Sequence, residues 1–146
     1  NRILNNQAPI IYGDGQQQRS FSDIDDVVNP MMNSIFNENC IKQTINVGPD
    51  ENVITINELA QKVLKVLNSD LEPIYVEPRP QEVLIAHCSA DKARKLLDYK
   101  TTVTLDESIL KIANWIISMG PKKFRYHLDL EIVNEKTPET WKTKLI

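Results

Sequence analysis

Apolar residues along this chain recur at two spacings, and the alternation between them predicts interleaved strands and helices. Ala8 to Tyr12 is a short β-prone run that ends at the turn-forming Gly13-Asp14-Gly15. Phe21 to Ile24 is a second short extended candidate. Beyond it, Val28, Met31, Met32, Ile35 and Phe36 fall at helical spacing, with Asp25 or Asp26 placed to cap the helix. Pro30 comes early in that helix, where its missing N–H costs least, and predicts a mild kink.

Thr44 to Val47 predicts a strand broken by Gly48-Pro49. Thr55-Ile56-Asn57-Glu58 is a capping box, in which the threonine oxygen and the glutamate satisfy free N–H groups at a helix start. The helix it opens carries Ile56, Leu59, Val63 and Leu67 on one face and ends near Asn68-Ser69-Asp70. Ile74 to Val76 predicts another strand, halted by Pro78 and Pro80, and Val83 to Ala86 a further one. Ser89 is placed to cap a short helix through Leu97. The strongest helical pattern runs from Leu105 to Met119: Thr104 and Glu107 form a second capping box, Ile109, Ile112, Ala113 and Ile116 its expected buried face, and Gly120-Pro121 its stop. Phe124, Tyr126, Leu128, Leu130 and Ile132 then alternate with polar residues, the pattern of a half-buried strand. No repeat or low-complexity tract interrupts this order, so the fold class is α/β with mixed strands and helices, in one domain: residues 1–120 and an extension over 121–146.

Composition narrows the class without naming a function. The chain has 146 residues, 41% of them hydrophobic and 25% charged, enough for one domain with a core. A net charge of −3 argues against a broad nucleic-acid surface. No apolar run reaches membrane-spanning length, and no basic-then-apolar start suggests a secretory signal, so a cytoplasmic location is expected. Asn1 in place of a starting methionine is expected of a piece of a longer chain. Cys40 and Cys88 share no metal-ligand spacing with His87 or His127, and two reduced cysteines are the plain expectation.

The chemistry-bearing residues are two arginines in separate loops. Gly13-Asp14-Gly15 invites comparison with a dinucleotide-binding loop, but Gln18 takes the third glycine position and no helical periodicity follows, so a plain turn is the better reading. Arg19 follows three glutamines, the setting of a solvated loop arginine, yet Phe21 lies two residues on, and an arginine beside an aromatic can hold a phosphate while the ring shapes the pocket. Arg79 sits between Pro78 and Pro80, which stiffen its backbone and lower the ordering cost of gripping a ligand. Glu82 can accept hydrogen bonds from ribose hydroxyls; taken alone, Arg79 and Glu82 read as a surface ion pair worth roughly 0–1 kcal/mol.

Tyr12-Gly13-Asp14-Gly15, Arg19-Ser20-Phe21, Ile24-Asp25-Asp26-Val27-Val28, Ile45-Asn46-Val47-Gly48, Arg79-Pro80-Gln81-Glu82 and Ser89-Ala90-Asp91-Lys92-Ala93 occur in that order. Together they resemble the C-terminal half of the NAD-dependent nucleotide-sugar epimerase/dehydratase family, the extended short-chain dehydrogenases, with UDP-glucose 4-epimerases the most similar group. The resemblance covers about Pro9 to Trp115. It implies an extended Rossmann-type enzyme of which this is the substrate-binding portion, lacking the N-terminal NAD-binding half. By the same resemblance Arg19 and Arg79 hold the diphosphate, Glu82 the ribose, Phe21 lines the site and Asn46 lies near the phosphates. Ser20 stands where aspartate is frequent and Asp98 where glycine usually ends the short helix, departures that bear on substrate preference more than on the diphosphate grip.

The family's catalytic Tyr-x-x-x-Lys pair has no counterpart here. Four residues after Tyr12, Tyr75, Tyr99 and Tyr126 stand Gln16, Arg79, Val103 and Leu130. The resemblance therefore implies no catalytic residue in this chain. NAD is expected to be bound by the missing half and no cofactor or metal by this one. A nucleotide sugar, such as a UDP-sugar, is the implied partner, and any homodimer belongs to the intact enzyme. A 4,6-dehydratase or decarboxylase of the same family, and a non-catalytic nucleotide-sugar-binding module, stay open beside the epimerase.

Overall fold

The computed structural model describes residues 1–122, 134–137 and 142, so the strand predicted over Phe124 to Ile132 lies outside the described residues. Two small sheets carry the strands. In the first, β1 (Ile10–Tyr12) pairs in parallel with β4 (Ile74–Val76), Ile11 opposite Tyr75. In the second, β2 (Gln18–Ser20) lies between β3 (Val53–Thr55), antiparallel to it, and β5 (Ile85–Ala86), parallel to it. The extended segment expected at Phe21 to Ile24 forms earlier instead. The ladder partners are spent on Gln18 to Ser20, and Asp23 already starts a helix.

That helix, α1 (Ile24–Ile35), is capped by Asp23, whose carboxylate accepts the Asp25 amide at 3.1 Å, rather than by Asp25 or Asp26. Asp26 is buried and does other work: its carboxylate accepts the amides of Thr102 at 3.0 Å and Val103 at 3.1 Å and the Thr102 hydroxyl. Burial opposes its charged form, and these three donors outweigh it, so the carboxyl is held below its ordinary range. Asp26 and Pro30 turn inward, and the predicted apolar stripe of α1 turns outward: Val28, Met31, Met32 and Ile35 are exposed, and Phe36 is 83% exposed.

Thr44 to Val47 forms no ladder. Its backbone meets no strand among the described residues, and Ile45 and Val47 instead pack against the small core of Ala90, Ala93 and Tyr99. The helix α2 (Ile56–Val66) begins at the predicted capping box, with the Glu58 amide donating to Thr55 Oγ1 at 3.1 Å and the Thr55 amide to Glu58 Oε2 at 2.7 Å. The short helix α3 (Asp91–Leu97) starts one residue later than expected. Ala90 is its cap, because the Ala90 amide donates to Asp50 at 2.8 Å while Ser89 Oγ accepts the Asp91 amide at 3.2 Å. Arg94 of α3 reaches back to Asp50, to Glu51 at 3.2 Å and to Asp91 at 3.0 Å. The Arg94 guanidinium first, and the Ala90 amide second, hold the Asp50 carboxyl well below the usual carboxylate range. The last helix, α4 (Leu105–Met119), has its capping box on Thr104 and Glu107 and stops at Gly120, whose φ of 75° suits glycine. Ile109 and Ala113 are its buried positions, whereas Ile112, expected inside, is 59% exposed on the rim of the cleft with α2.

Two outcomes are expected. A carboxyl whose folded pKa lies below its unfolded value of about 3.9 adds stability that is complete above that value and is lost as pH falls through the folded value. Asp26 and Asp50 are both of this kind. The melting temperature should therefore hold from neutral pH to about pH 5 and fall below about pH 4, and Asp50→Asn should fall less steeply. An Asp50→Asn acid limb parallel to that of the wild type would contradict the Asp50–Arg94 account. Secondly, the double substitution Met31→Lys and Ile35→Lys should reduce binding of an apolar surface dye and change stability by no more than about 0.5 kcal/mol, the range of surface positions. A large drop in melting temperature would place that face inside.

Candidate functional site

The site is built where β1 hands over to β2. Tyr12 closes β1 as a buried residue, and Gly13 and Gly15, at φ of 72° and 73°, reverse the chain in the left-handed region. A side chain at position 15 would run directly into the Asn57 amide. Asn57, at the start of α2, donates from Nδ2 to the Asp14 carbonyl at 2.9 Å and accepts from the Tyr75 hydroxyl at 3.0 Å, which pins the turn to both α2 and β4. The turn leads into strand β2 and not into a helix, and the first amides of α2 beside it are taken by the turn's own carbonyls, Ile56 donating to Gln17 at 3.0 Å and Asn57 to Gly15 at 3.1 Å, so the turn does not suit a dinucleotide pyrophosphate.

The reversal sets Gln17 against Tyr12 and puts Arg19, expected in a loop, in the middle of β2, where it pairs with Ile54 and Ala86 on either side. Gln17 Nε2 donates to the Tyr12 carbonyl at 2.6 Å and to Glu82 Oε2 at 3.2 Å. Arg19 donates from Nη1 to the Gln18 carbonyl at 2.8 Å and to the Leu84 carbonyl at 3.4 Å, and its Nη2 lies 3.7 Å from Glu82 Oε1. Arg79 stands exposed with its guanidinium 4.0 Å above the centre of the Tyr12 ring, a cation–π contact. Gln81, at φ 60°, turns the chain, and the Glu82 amide donates to the Arg79 carbonyl at 3.4 Å.

Arg79, Tyr12, Gln17, Glu82 and Arg19 thus form one unbroken series of contacts. It contains two cations and one carboxylate, so the patch is suited to an anion, with an acceptor beside it. Three of the residues singled out from sequence, Arg19, Arg79 and Glu82, are brought together here. Phe21 lines the cleft between α2 and α4 with Leu59, Val63 and Ile109, and Asn46 is exposed on the segment before Gly48. The contacts linking the two arginines pass through neither. Sequence reasoning missed Tyr12 and Gln17. Gln16, Gln17 and Gln18 look alike in sequence, and only the geometry of the turn buries the middle one.

Among the described residues no cluster of His, Cys, Asp and Glu could hold a metal ion, and Cys40 and Cys88 are unpaired. No helix of the described residues is long and apolar enough to cross a membrane.

No model of a known protein family matches the chain. Individual relatives do. A protein of Methanocaldococcus jannaschii named "Putative UDP-glucose 4-epimerase" is 31% identical over 115 residues, covering 79% of this chain and 36% of the relative. A UDP-glucuronate 4-epimerase of Thermodesulfobacterium geofontis is 27% identical over 110 residues, covering 75% of this chain and 33% of the relative. Among solved structures, a UDP-glucose 4-epimerase of Thermotoga maritima with UDP-glucose superposes with a TM-score of 0.73 at 25% identity, over 82% of this chain and 38% of that one. The chain spans about a third of the length of the curated relatives it matches. It is thus similar to the C-terminal portion of the NAD-dependent epimerases, UDP-sugar 4-epimerases of the extended short-chain dehydrogenase family.

Proposed function

We propose that this chain is the substrate-holding portion of an NAD-dependent UDP-sugar 4-epimerase. The observation that carries this reading is the single patch in which Arg19 and Arg79 are joined through Glu82, Gln17 and Tyr12. Two guanidiniums on one patch match the two phosphates of a nucleoside diphosphate, and a carboxylate next to them matches the hydroxyls of the adjoining ribose. The matched relatives are named as 4-epimerases, which favours that reaction over a dehydratase or decarboxylase.

NAD, when bound by the part of the enzyme that has no counterpart in this chain, supplies the hydride chemistry at sugar C4. The residues present here bind and orient. Arg19 and Arg79 fix the diphosphate as a handle, so the sugar beyond it can present either face while its anchor stays in place. Each charge-assisted contact is worth roughly 1.5–3 kcal/mol. Phe21 and Asn46 are assigned to the sugar and phosphate side of the assembled site. Gly48, two residues past Asn46, faces Ser22 next to Phe21, which supports grouping them. The outward apolar stripe of α1 supports a neighbour in the intact enzyme that this chain lacks. Unpaired cysteines support a cytoplasmic setting, and any homodimer is assigned to the intact enzyme.

Arg19→Ala and Arg79→Ala should each weaken UDP binding about tenfold or more, from about 1.5–3 kcal/mol lost per arginine, with melting temperature close to wild type. UDP and UDP-glucose should lose affinity alike, because both carry the diphosphate. Glu82→Ala should weaken UDP while leaving inorganic pyrophosphate nearly unaffected. Calorimetric titration reads all of these. Two arginine variants that fold and bind UDP at wild-type strength would refute the diphosphate grip.

A further inference from the structure

Gln17 is 7% exposed, and its side chain joins the Tyr12 carbonyl to Glu82 within the contacts between the two arginines. Its amide nitrogen is committed to two acceptors, the Tyr12 carbonyl and Glu82 Oε2. The amide cannot be turned over, because its oxygen would then face a carbonyl and a carboxylate, neither of which donates. Gly13 makes this seat possible: a Cβ there would stand only 3.2 Å from Gln17 Nε2.

The consequence falls on Glu82. A carboxylate next to a free guanidinium closes into a short, two-pronged pair that neutralises both partners. Here Glu82 is held through Oε2 by Gln17, and its Oε1 stays 3.7 Å from Arg19 Nη2, longer than a tight charge-assisted bond. Gln17 Oε1 and the Tyr12 hydroxyl are buried with no partner among the described residues.

We propose that Gln17 is the positioning residue of this site: its amide holds Glu82 off Arg19, leaving Nη2 of the arginine, whose Nη1 is bound to the Gln18 and Leu84 carbonyls, for a phosphate and Oε1 of the carboxylate for a sugar diol. This rests on the reading of the patch as a nucleoside-diphosphate site. Gln16 and Gln18 have no such reach, since neither contacts Glu82.

The test uses Gln17→Met, which keeps the side-chain length without the amide, alone and combined with Glu82→Ala, with inorganic pyrophosphate and UDP as probes. Gln17→Met should lose about fivefold in pyrophosphate affinity, because the released Glu82 closes on Arg19. Adding Glu82→Ala should restore pyrophosphate to within about twofold of wild type, while UDP binding stays weak for want of the ribose contact. A packing role alone would not be rescued by removing Glu82. Unchanged pyrophosphate binding in Gln17→Met, or no rescue in the double variant, overturns the proposal. Should Gln17→Met not fold, Gln17→Asn, whose shorter amide falls short of Glu82, is read in the same way. If the wild-type chain binds neither probe, the nucleotide reading fails, and the Arg19 guanidinium NMR signal decides for Gln17. A shift in the Gln17 variant that Glu82→Ala reverses upholds the positioning role, and an unmoved signal ends it.

Discussion

The reversal of the chain at Gly13-Asp14-Gly15 is the constraint on which the site depends. It carries the backbone from one sheet to the other within a few residues, which sets Gln17 against Tyr12 and delivers Arg19 beside Glu82. Left-handed backbone at both glycines makes the turn tight, and Asn57 clasps it from α2. A side chain at position 15 would displace that clasp, so the local demand for glycine and the placement of the arginines are one requirement.

Around this turn the helices are tied by buried or half-buried acids, each of which meets backbone amides. Asp26 links α1 to the loop entering α4, and Asp50 links the segment after Gly48 to the start of α3 and its Arg94. Such ties give a chain with a small apolar core a defined shape, at the cost of sensitivity to acid. The apolar side chains that in a self-sufficient domain would fill the core are spread over outward faces instead, α1 above all. That distribution agrees with a chain that spans about a third of its relatives.

Much of the local structure was legible in the sequence, and the failures have physical reasons. The two capping boxes located α2 and α4 because both partners of each box lie within four residues and need no tertiary help. The cap of α1 was misplaced by two or three residues because three aspartates compete there, and tertiary donors at Thr102 and Val103 claim Asp26. Thr44 to Val47 has strand composition without a strand partner among the described residues, and composition cannot supply one. Arg79 and Glu82 stand out in sequence because their charge lies beside Pro78 and Pro80, whereas Arg19, expected in a loop, lies in strand β2, where Gln18 to Ser20 find ladder partners on both sides. Gln17 does not stand out, because its role arises from burial between neighbours far apart in the chain.

The central claim is that two arginines 60 residues apart act on one ligand. It is tested most directly by titrating UDP into protein labelled with nitrogen-15 at arginine and following the side-chain Nε–H signals. The account predicts that the Arg19 and Arg79 signals move together along one binding curve while the Arg94 signal, committed to Asp50, stays in place. Movement of only one of the two, or of neither at saturating UDP, would contradict it.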